Sequence, residues 1–139
     1  MIKKLAAGVL AAMAVATIAP GTANAADDVR SFDNCVGSCY SLGTFGTITW
    51  HNRTATVHGW VYDTGPGTTQ AQFRAWQDGA QVGKTETRTA DDMSPRLGSP
   101  REFSFVMGDT NRPGGLDTIW VNLCFDNGHC EGNKVYFRP

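Results

Sequence analysis

The stretch from Leu116 to Arg138 constrains the fold most strongly, because it has the pattern of a β-hairpin. Its first arm alternates apolar and polar side chains, and a period of two over this length predicts a half-buried antiparallel strand. The sequence Asp126-Asn127-Gly128 suits a three-residue loop whose glycine takes the left-handed conformation. With that loop, Cys124 lies directly opposite Cys130.

The cysteine count predicts two disulfides, because four cysteines in a small exported chain usually pair. Directly opposite strand residues have Cβ atoms about 4.5–5.5 Å apart, which favours a Cys124–Cys130 bridge. Cys35 and Cys39 then pair by elimination, and crosswise pairing with the hairpin is the alternative that the sequence leaves open. The C-x3-C and C-x5-C spacings differ from those of zinc sites, so no metal is expected.

The hairpin register also predicts which side chains share a face. It places Lys134 opposite Trp120 on the outer face of the sheet and turns Tyr136 outward. Glu131 and Asn133 would then point inward, which is unfavourable in a core. We therefore expect a β-bulge at Gly132, or a strand that overhangs the sheet there.

The N-terminal segment Met1–Ala25 has the pattern of a secretion signal. Lys3 and Lys4 precede an apolar run from Leu5 to Ala19, and Ala23-Asn24-Ala25 has the small-x-small form of a cleavage site. The run is shorter than the roughly 20 residues that cross a bilayer, so we expect no membrane anchor after cleavage. The pattern predicts a secreted, bacterial protein.

The charge of the chain argues against polyanionic partners. Without Lys3 and Lys4, the formal net charge of −1 becomes about −3. A nucleic-acid-binding or anionic-membrane-binding domain normally carries a basic patch, and none is evident in the sequence. Neither nucleic acid nor membrane is therefore an expected partner.

The remaining chain divides into an irregular lead-in, residues 26–44, and a β-sandwich domain, residues 45–139. Two-residue turns at Asn52-Arg53 and Asp78-Gly79 join pairs of strands. The first turn places Trp50 opposite Ala55 and turns its ring into the core. The strands expected before the final hairpin are Thr47–Trp50, Thr54–Tyr62, Gln70–Trp76, Gln81–Arg88 and Arg101–Met107.

Together these elements predict an all-β fold, an antiparallel sandwich of about seven strands with two disulfides. The pattern from Thr47 to Arg138 resembles the immunoglobulin or fibronectin type III layout. It departs from true immunoglobulin domains because the expected bridge lies within one hairpin, and because the Cys…Trp…Cys spacing is absent.

No motif indicates catalysis or a cofactor. The histidines at 51, 58 and 129 do not form a metal-binding spacing, and neither G-x-S-x-G nor S-x-x-K occurs. Paired carboxylates of a glycosidase can come from anywhere in a fold, so motifs alone do not decide that case. We expect a protein that is not an enzyme and has no cofactor.

Outward-facing aromatic residues are the strongest functional signal. Alternation turns Trp60, Tyr62, Trp76, Trp120 and Tyr136 away from the core, and exposed aromatic clusters tend to mark ligand sites. Such rings suit the apolar faces of sugars, which predicts a non-catalytic domain for polysaccharide or cell-envelope glycan. The candidate ligand-binding residues are Trp76, Trp120, Tyr136, Arg74, Asn122 and Lys134.

Two alternatives accompany this prediction. The outward aromatics could simply pack against Lys134 and Arg74, since aromatic residues are good strand formers on either face. The chain could instead be a protein-interaction module, such as an inhibitor of an extracellular hydrolase. In that case the loops Thr89–Pro100 and Gly108–Gly115 would make the contact.

Overall fold

A computed structural model describes residues 27–91 and 100–139, and within these ranges the regular elements are all β-strands. The expected signal peptide and most of the Thr89–Pro100 loop lie outside the described residues. The strands are β1 (Asp28–Cys35), β2 (Leu42–Trp50), β3 (Thr54–Asp63), β4 (Thr68–Gln77), β5 (Ala80–Asp91), β6 (Arg101–Gly108), β7 (Thr118–Phe125) and β8 (Cys130–Phe137).

The strands form two antiparallel four-stranded sheets. Sheet A has the order β1-β2-β3-β6, and sheet B has the order β5-β4-β7-β8. The predicted all-β sandwich is therefore confirmed, with eight strands rather than seven. Among the described residues, no helix is long and apolar enough to cross a membrane.

The two short turns form where the sequence places them. Trp50 pairs with Ala55 across the β2–β3 turn, and its side chain is buried. Gln77 pairs with Ala80 across the β4–β5 turn. Both central residues of that second turn, Asp78 and Gly79, have positive φ, as a type I′ turn requires.

The core lies between the sheets and follows the alternation of the strands. Every second residue of β3 and β4 is buried. Phe32 of β1 reaches across sheet A and meets Phe73 of β4 edge-on, with ring centroids 5.6 Å apart. Gly59 leaves the space for this crossing, because a Cβ there would lie 3.0 Å from Cζ of Phe32. The largest fully buried side chains include Ile48, Val57, Val61, Phe73, Leu116, Ile119, Val121 and Leu123.

The N-terminal segment is more regular than the sequence indicates. Residues 28–35 form β1, which pairs with β2 from Asp28↔Trp50 to Cys35↔Gly43. Only Phe32 and Asn34 of this strand are buried, so its sequence lacks the apolar alternation that identifies a core strand. This edge strand is the reason that the fold has eight strands and not the predicted seven.

Both expected disulfides are present. Cys35 pairs with Cys39, and Cys124 pairs with Cys130, leaving no free cysteine. Cys124 and Cys130 are direct cross-strand partners, as the predicted hairpin register requires. Two disulfides are typical of proteins in an oxidising, extracellular environment.

The second half of the hairpin departs from the simple register at Gly132. Leu123 pairs with Glu131, but Val121 pairs with Lys134, so β8 carries one extra residue opposite Asn122. This bulge is the one that the sequence predicts at Gly132. It reverses the facing of the later residues, so that Tyr136 points inward and Val135 points outward.

The first and last strands are joined at one edge of the sandwich. The buried Asn34 side chain donates through Nδ2 to the carbonyls of Val121, at 2.9 Å, and Gly132, at 2.6 Å. The Tyr136 hydroxyl donates to the Asp33 carbonyl at 2.6 Å and accepts from the Asp33 amide at 2.9 Å. We call these contacts, together with the hydrogen bond from Lys134 to the Asp33 carboxylate, the β1–β8 clasp.

Candidate binding surface on sheet B

The outer face of sheet B carries most of the predicted ligand-binding residues. On β4, Gln72, Arg74 and Trp76 alternate with buried neighbours and are partly exposed. On β7, Trp120 and Asn122 do the same. The register places Arg74 directly opposite Trp120 and Gln72 directly opposite Asn122, so these five side chains share one surface.

Trp76 and Trp120 lie side by side on this surface. Their ring centroids are 4.7 Å apart and the ring planes are inclined by 33°. They come from neighbouring strands at diagonal positions, because Trp76 itself pairs with Thr118. The sequence therefore identified two residues that the fold brings into contact.

A shallow depression of about 430 Å³ adjoins this tryptophan pair. Thr118 pairs with Trp76 of β4 on one side and with Phe137 of β8 on the other. Because neighbouring strands are about 4.8 Å apart, the backbones that carry Trp76 and Phe137 are separated by about 9.6 Å across Thr118. The small threonine thus lies between two aromatic side chains.

The other residues that line the depression lie at its two ends. Trp120 and Val135, which pair with each other, stand at the inner end, while Asp117 and Gly79 lie at the edge of the sheet. Phe137 is 71% exposed, which is high for an aromatic side chain. We call this depression the aromatic slot, and its walls are Trp76, Trp120, Val135 and Phe137 around Thr118.

Two predicted members of the surface are not on it. The bulge at Gly132 turns Tyr136 inward, where its ring packs edge-on against Phe32 with centroids 6.2 Å apart. Lys134 lies opposite Val121, not opposite Trp120, and bonds to Asp33 of the other sheet. The predicted positions of both residues on the outer face are therefore wrong.

Val135 and Phe137 take the places that the sequence assigned to those residues. One extra residue in a strand exchanges its two faces, because successive side chains alternate. The signal was present in the sequence, since the unbulged register pointed Glu131 and Asn133 into the core. Applying the bulge to the rest of β8 would have identified the slot.

The surroundings of the two displaced residues also change their pKa values. Burial raises the pKa of the Tyr136 hydroxyl above its usual value of 10.0. The hydrogen bond to Asp33 raises the pKa of the Lys134 ammonium above 10.5. At physiological pH the Tyr136 hydroxyl is therefore neutral and the Lys134 ammonium is charged. Both groups belong to the clasp.

Several polar groups near the slot have no partner within residues 27–91 and 100–139. Arg74 makes no ion pair, hydrogen bond or cation–π contact there. The indole Nε1 of Trp76 and the side-chain oxygen of Asn122 are both buried without a hydrogen bond. An unsatisfied buried polar atom costs about 1–3 kcal/mol, so this face contains unused hydrogen-bonding capacity.

A second aromatic cluster lies on the outer face of sheet A. Trp60 and Tyr62 point outward as predicted, and Phe45 lies between them with ring centroids 5.8 and 5.6 Å away. Tyr40, which follows Cys39 in the segment between β1 and β2, packs edge-on against Phe45. The sequence did not identify Phe45 because β2 was expected to begin only at residue 47.

Each histidine of the described chain contacts one acidic residue at the surface. His51 contacts Asp27, His58 contacts Glu102, and His129 contacts Glu131. Among the described residues, no group of three or more histidine, cysteine or acidic side chains is arranged to hold a metal ion.

The chain was compared with known proteins at the level of family, sequence and structure. No protein family, curated protein or solved structure matches it. Function is therefore argued from the residues of this chain alone.

Proposed function

We propose that the protein is a secreted, non-catalytic binding domain that holds a polysaccharide or cell-envelope glycan on the outer face of sheet B. The observation that carries the proposal is the aromatic slot. Its walls come from three neighbouring strands, so the hydrogen-bonded sheet fixes the distances between the walls. A site on strands holds its geometry better than a site on loops.

Sugar rings suit the chemistry of the slot. Each pyranose face presents C–H groups that pack against aromatic rings, while the ring edge presents hydroxyls. Trp76 and Phe137 offer apolar surface on opposite sides, and the Thr118 hydroxyl lies between them. The carboxylate of Asp117 at the sheet edge is a further hydrogen-bond acceptor.

The amide groups beside the slot extend the same surface. Gln70 and Gln72 of β4 and Asn122 of β7 occupy successive outward positions next to the tryptophan pair. A sugar hydroxyl both donates and accepts a hydrogen bond, as these amides do. It therefore complements the unpaired oxygen of Asn122 and the unpaired N–H of Trp76 if the two side chains turn outward on binding.

The proposed location is outside a bacterial cell. It is supported by the two disulfides and by the signal-peptide pattern of Met1–Ala25. An extracellular glycan is a ligand that a protein in this compartment meets.

We also propose that the layout is fibronectin III-like, with one strand added. Strands β2, β3 and β6 follow the order A-B-E, and β5, β4, β7 and β8 follow the order C′-C-F-G. Strand β1 then extends the first sheet beyond strand A. Domains of this layout commonly serve as non-catalytic modules, but the functional proposal rests on the slot.

A binding experiment with Trp120→Ala tests the function. The protein is incubated with insoluble cellulose, chitin and cell wall, and its tryptophan fluorescence is followed with soluble fragments. Removing a central aromatic residue typically costs about 2 kcal/mol or more, so binding should weaken about 30-fold with the circular dichroism unchanged.

The matched control is Trp60→Ala, which removes the same side chain from the outer face of sheet A. It should leave binding unchanged. Loss of binding in Trp60→Ala but not in Trp120→Ala would move the site to sheet A. A protein that binds none of the three polymers, and none of the acidic glycans considered below, would overturn the proposal.

A second candidate function is protein interaction through the Gly108–Gly115 loop. The loop is held against the sandwich, because Arg53 donates to the Thr110 carbonyl at 2.7 Å and Gln77 donates to the Pro113 carbonyl at 2.6 Å. A rigid exposed loop suits an inhibitor of an extracellular hydrolase. Sensitivity of partner binding to Asn111→Ala, and not to Trp120→Ala, would distinguish this function.

A further inference from the structure

Arg74 lies at the centre of the candidate surface, with no counter-ion among residues 27–91 and 100–139. It stands directly opposite Trp120 and two residues from Trp76 along β4, which is about 7 Å. The other arginine in the strands of sheet B behaves differently. Arg88 pairs with Glu86 and stacks over Phe105, and its alternation places it on the inner side of β5.

Two acidic residues close to Arg74 in the pairing of the strands, Asp117 and Glu86, have other partners. Asp117, at the edge of the slot, accepts a hydrogen bond of 2.5 Å from the Asp78 amide. Glu86 is engaged by Arg88 and Lys84. Within the described ranges, Arg74 is thus an unpaired cation among aromatic and amide side chains.

We propose that Arg74 selects an acidic glycan, in which a sugar carboxylate binds its guanidinium while a sugar ring occupies the aromatic slot. This inference rests on the function proposed above. A guanidinium presents two parallel N–H groups that match the two oxygens of a carboxylate, so a uronate fits Arg74 with geometric as well as electrostatic complementarity.

The overall charge of the protein without its leader is negative, so it does not itself attract acidic glycans. Preference for an acidic glycan would have to come from a local cation, and Arg74 lies on this face of the described chain. The position of Arg74 beside Trp120 lets one ligand contact both residues.

The test uses pairs of ligands that differ only in charge. Oligogalacturonate, oligomannuronate and hyaluronan fragments are each compared with their methyl esters, which keep the sugar but neutralise the carboxylate. Affinity is measured by titration calorimetry. For at least one pair, the acid should bind about tenfold or more tightly than the ester, the size expected for a hydrogen bond to a charged group.

Three variants assign the effect. Arg74→Gln should abolish the preference for the acid over its ester, and Arg74→Lys should restore only part of that preference. Arg30→Gln, the matched control, removes the same charge from β1 and should change neither affinity. Thermal unfolding of each variant confirms that it is folded.

The outcomes separate the two proposals. Equal binding of acid and ester, or a preference for the acid that persists in Arg74→Gln, would overturn the inference while leaving a glycan-binding function in place. Failure of every acid and ester, and also of the neutral polymers, would overturn both. Lost acid binding in Arg30→Gln would show a general charge effect and would also overturn the role of Arg74.

Discussion

Replacement of Asn34 by alanine should destabilise the protein by about 2–4 kcal/mol. The side chain is 3% exposed, and its amide donates to two carbonyls of the β7–β8 hairpin. Alanine removes both donors, so the Val121 and Gly132 carbonyls each lose a hydrogen bond. A buried acceptor left without a donor costs about 1–3 kcal/mol, and the Gly132 carbonyl, being only partly buried, belongs at the low end.

Chemical denaturation with both disulfides intact measures this effect. For a domain of this size, about 2–4 kcal/mol corresponds to a fall in Tm of roughly 8–16 °C. Asn133→Ala is the matched control, because Asn133 is exposed in β8, next to the Gly132 that Asn34 bonds, and the change should alter stability by less than about 0.5 kcal/mol.

Asn34→Asp separates hydrogen bonding from packing. Aspartate has nearly the same shape as asparagine, but its carboxylate cannot donate to the two carbonyls and repels them. It should destabilise the fold at least as much as alanine does at neutral pH. A stable Asn34→Asp variant, or an Asn34→Ala variant within about 0.5 kcal/mol of the original protein, would refute the reasoning.

Two further predictions concern the packing and the ionisation of the fold. Gly59→Ala should cost about 1–3 kcal/mol, because the added Cβ would lie 2.3 Å from the Phe45 carbonyl oxygen. Gly65→Ala, where the nearest atom is 3.7 Å away, should be nearly neutral in the same denaturation assay, and equal effects at both sites would contradict the steric argument. The folded-state pKa values of Tyr136 and Lys134 are raised, so their stabilising contribution is complete below pH 10 and is lost as the pH rises through those values. Stability should therefore decline above about pH 10, and less steeply in Tyr136→Phe. Absorbance titration should show a late-ionising tyrosine that disappears in Tyr136→Phe, and its persistence in that variant would be inconsistent with the clasp.

The local features of the fold were predictable because short-range rules determine them. The Asp78-Gly79 turn requires two residues with positive φ, which its sequence allows. The Cys124–Cys130 bridge follows from the length of one loop. The facing of Trp76 and Trp120 follows from alternation along uninterrupted strands.

The features that were missed depend on contacts between distant parts of the chain. Strand β1 is stabilised mainly by backbone pairing with β2 and by the clasp, neither of which leaves a periodic pattern in its own sequence. The inward position of Tyr136 depends on the bulge at Gly132. This single-residue insertion exchanges the inward-facing and outward-facing side chains in the rest of β8. The composition of the slot could not be predicted without that reversal.

We expect the β1–β8 clasp to oppose self-association as well. Strand β1 covers the hydrogen-bonding edge of β2, yet it buries only Phe32 and Asn34 and so has little apolar attachment of its own. If the clasp is broken, β1 becomes a detachable strand, and the uncovered edge of β2 is complementary to the β1 of an identical molecule. A few polar contacts at one corner of the sandwich thus favour a closed monomer over strand exchange between copies.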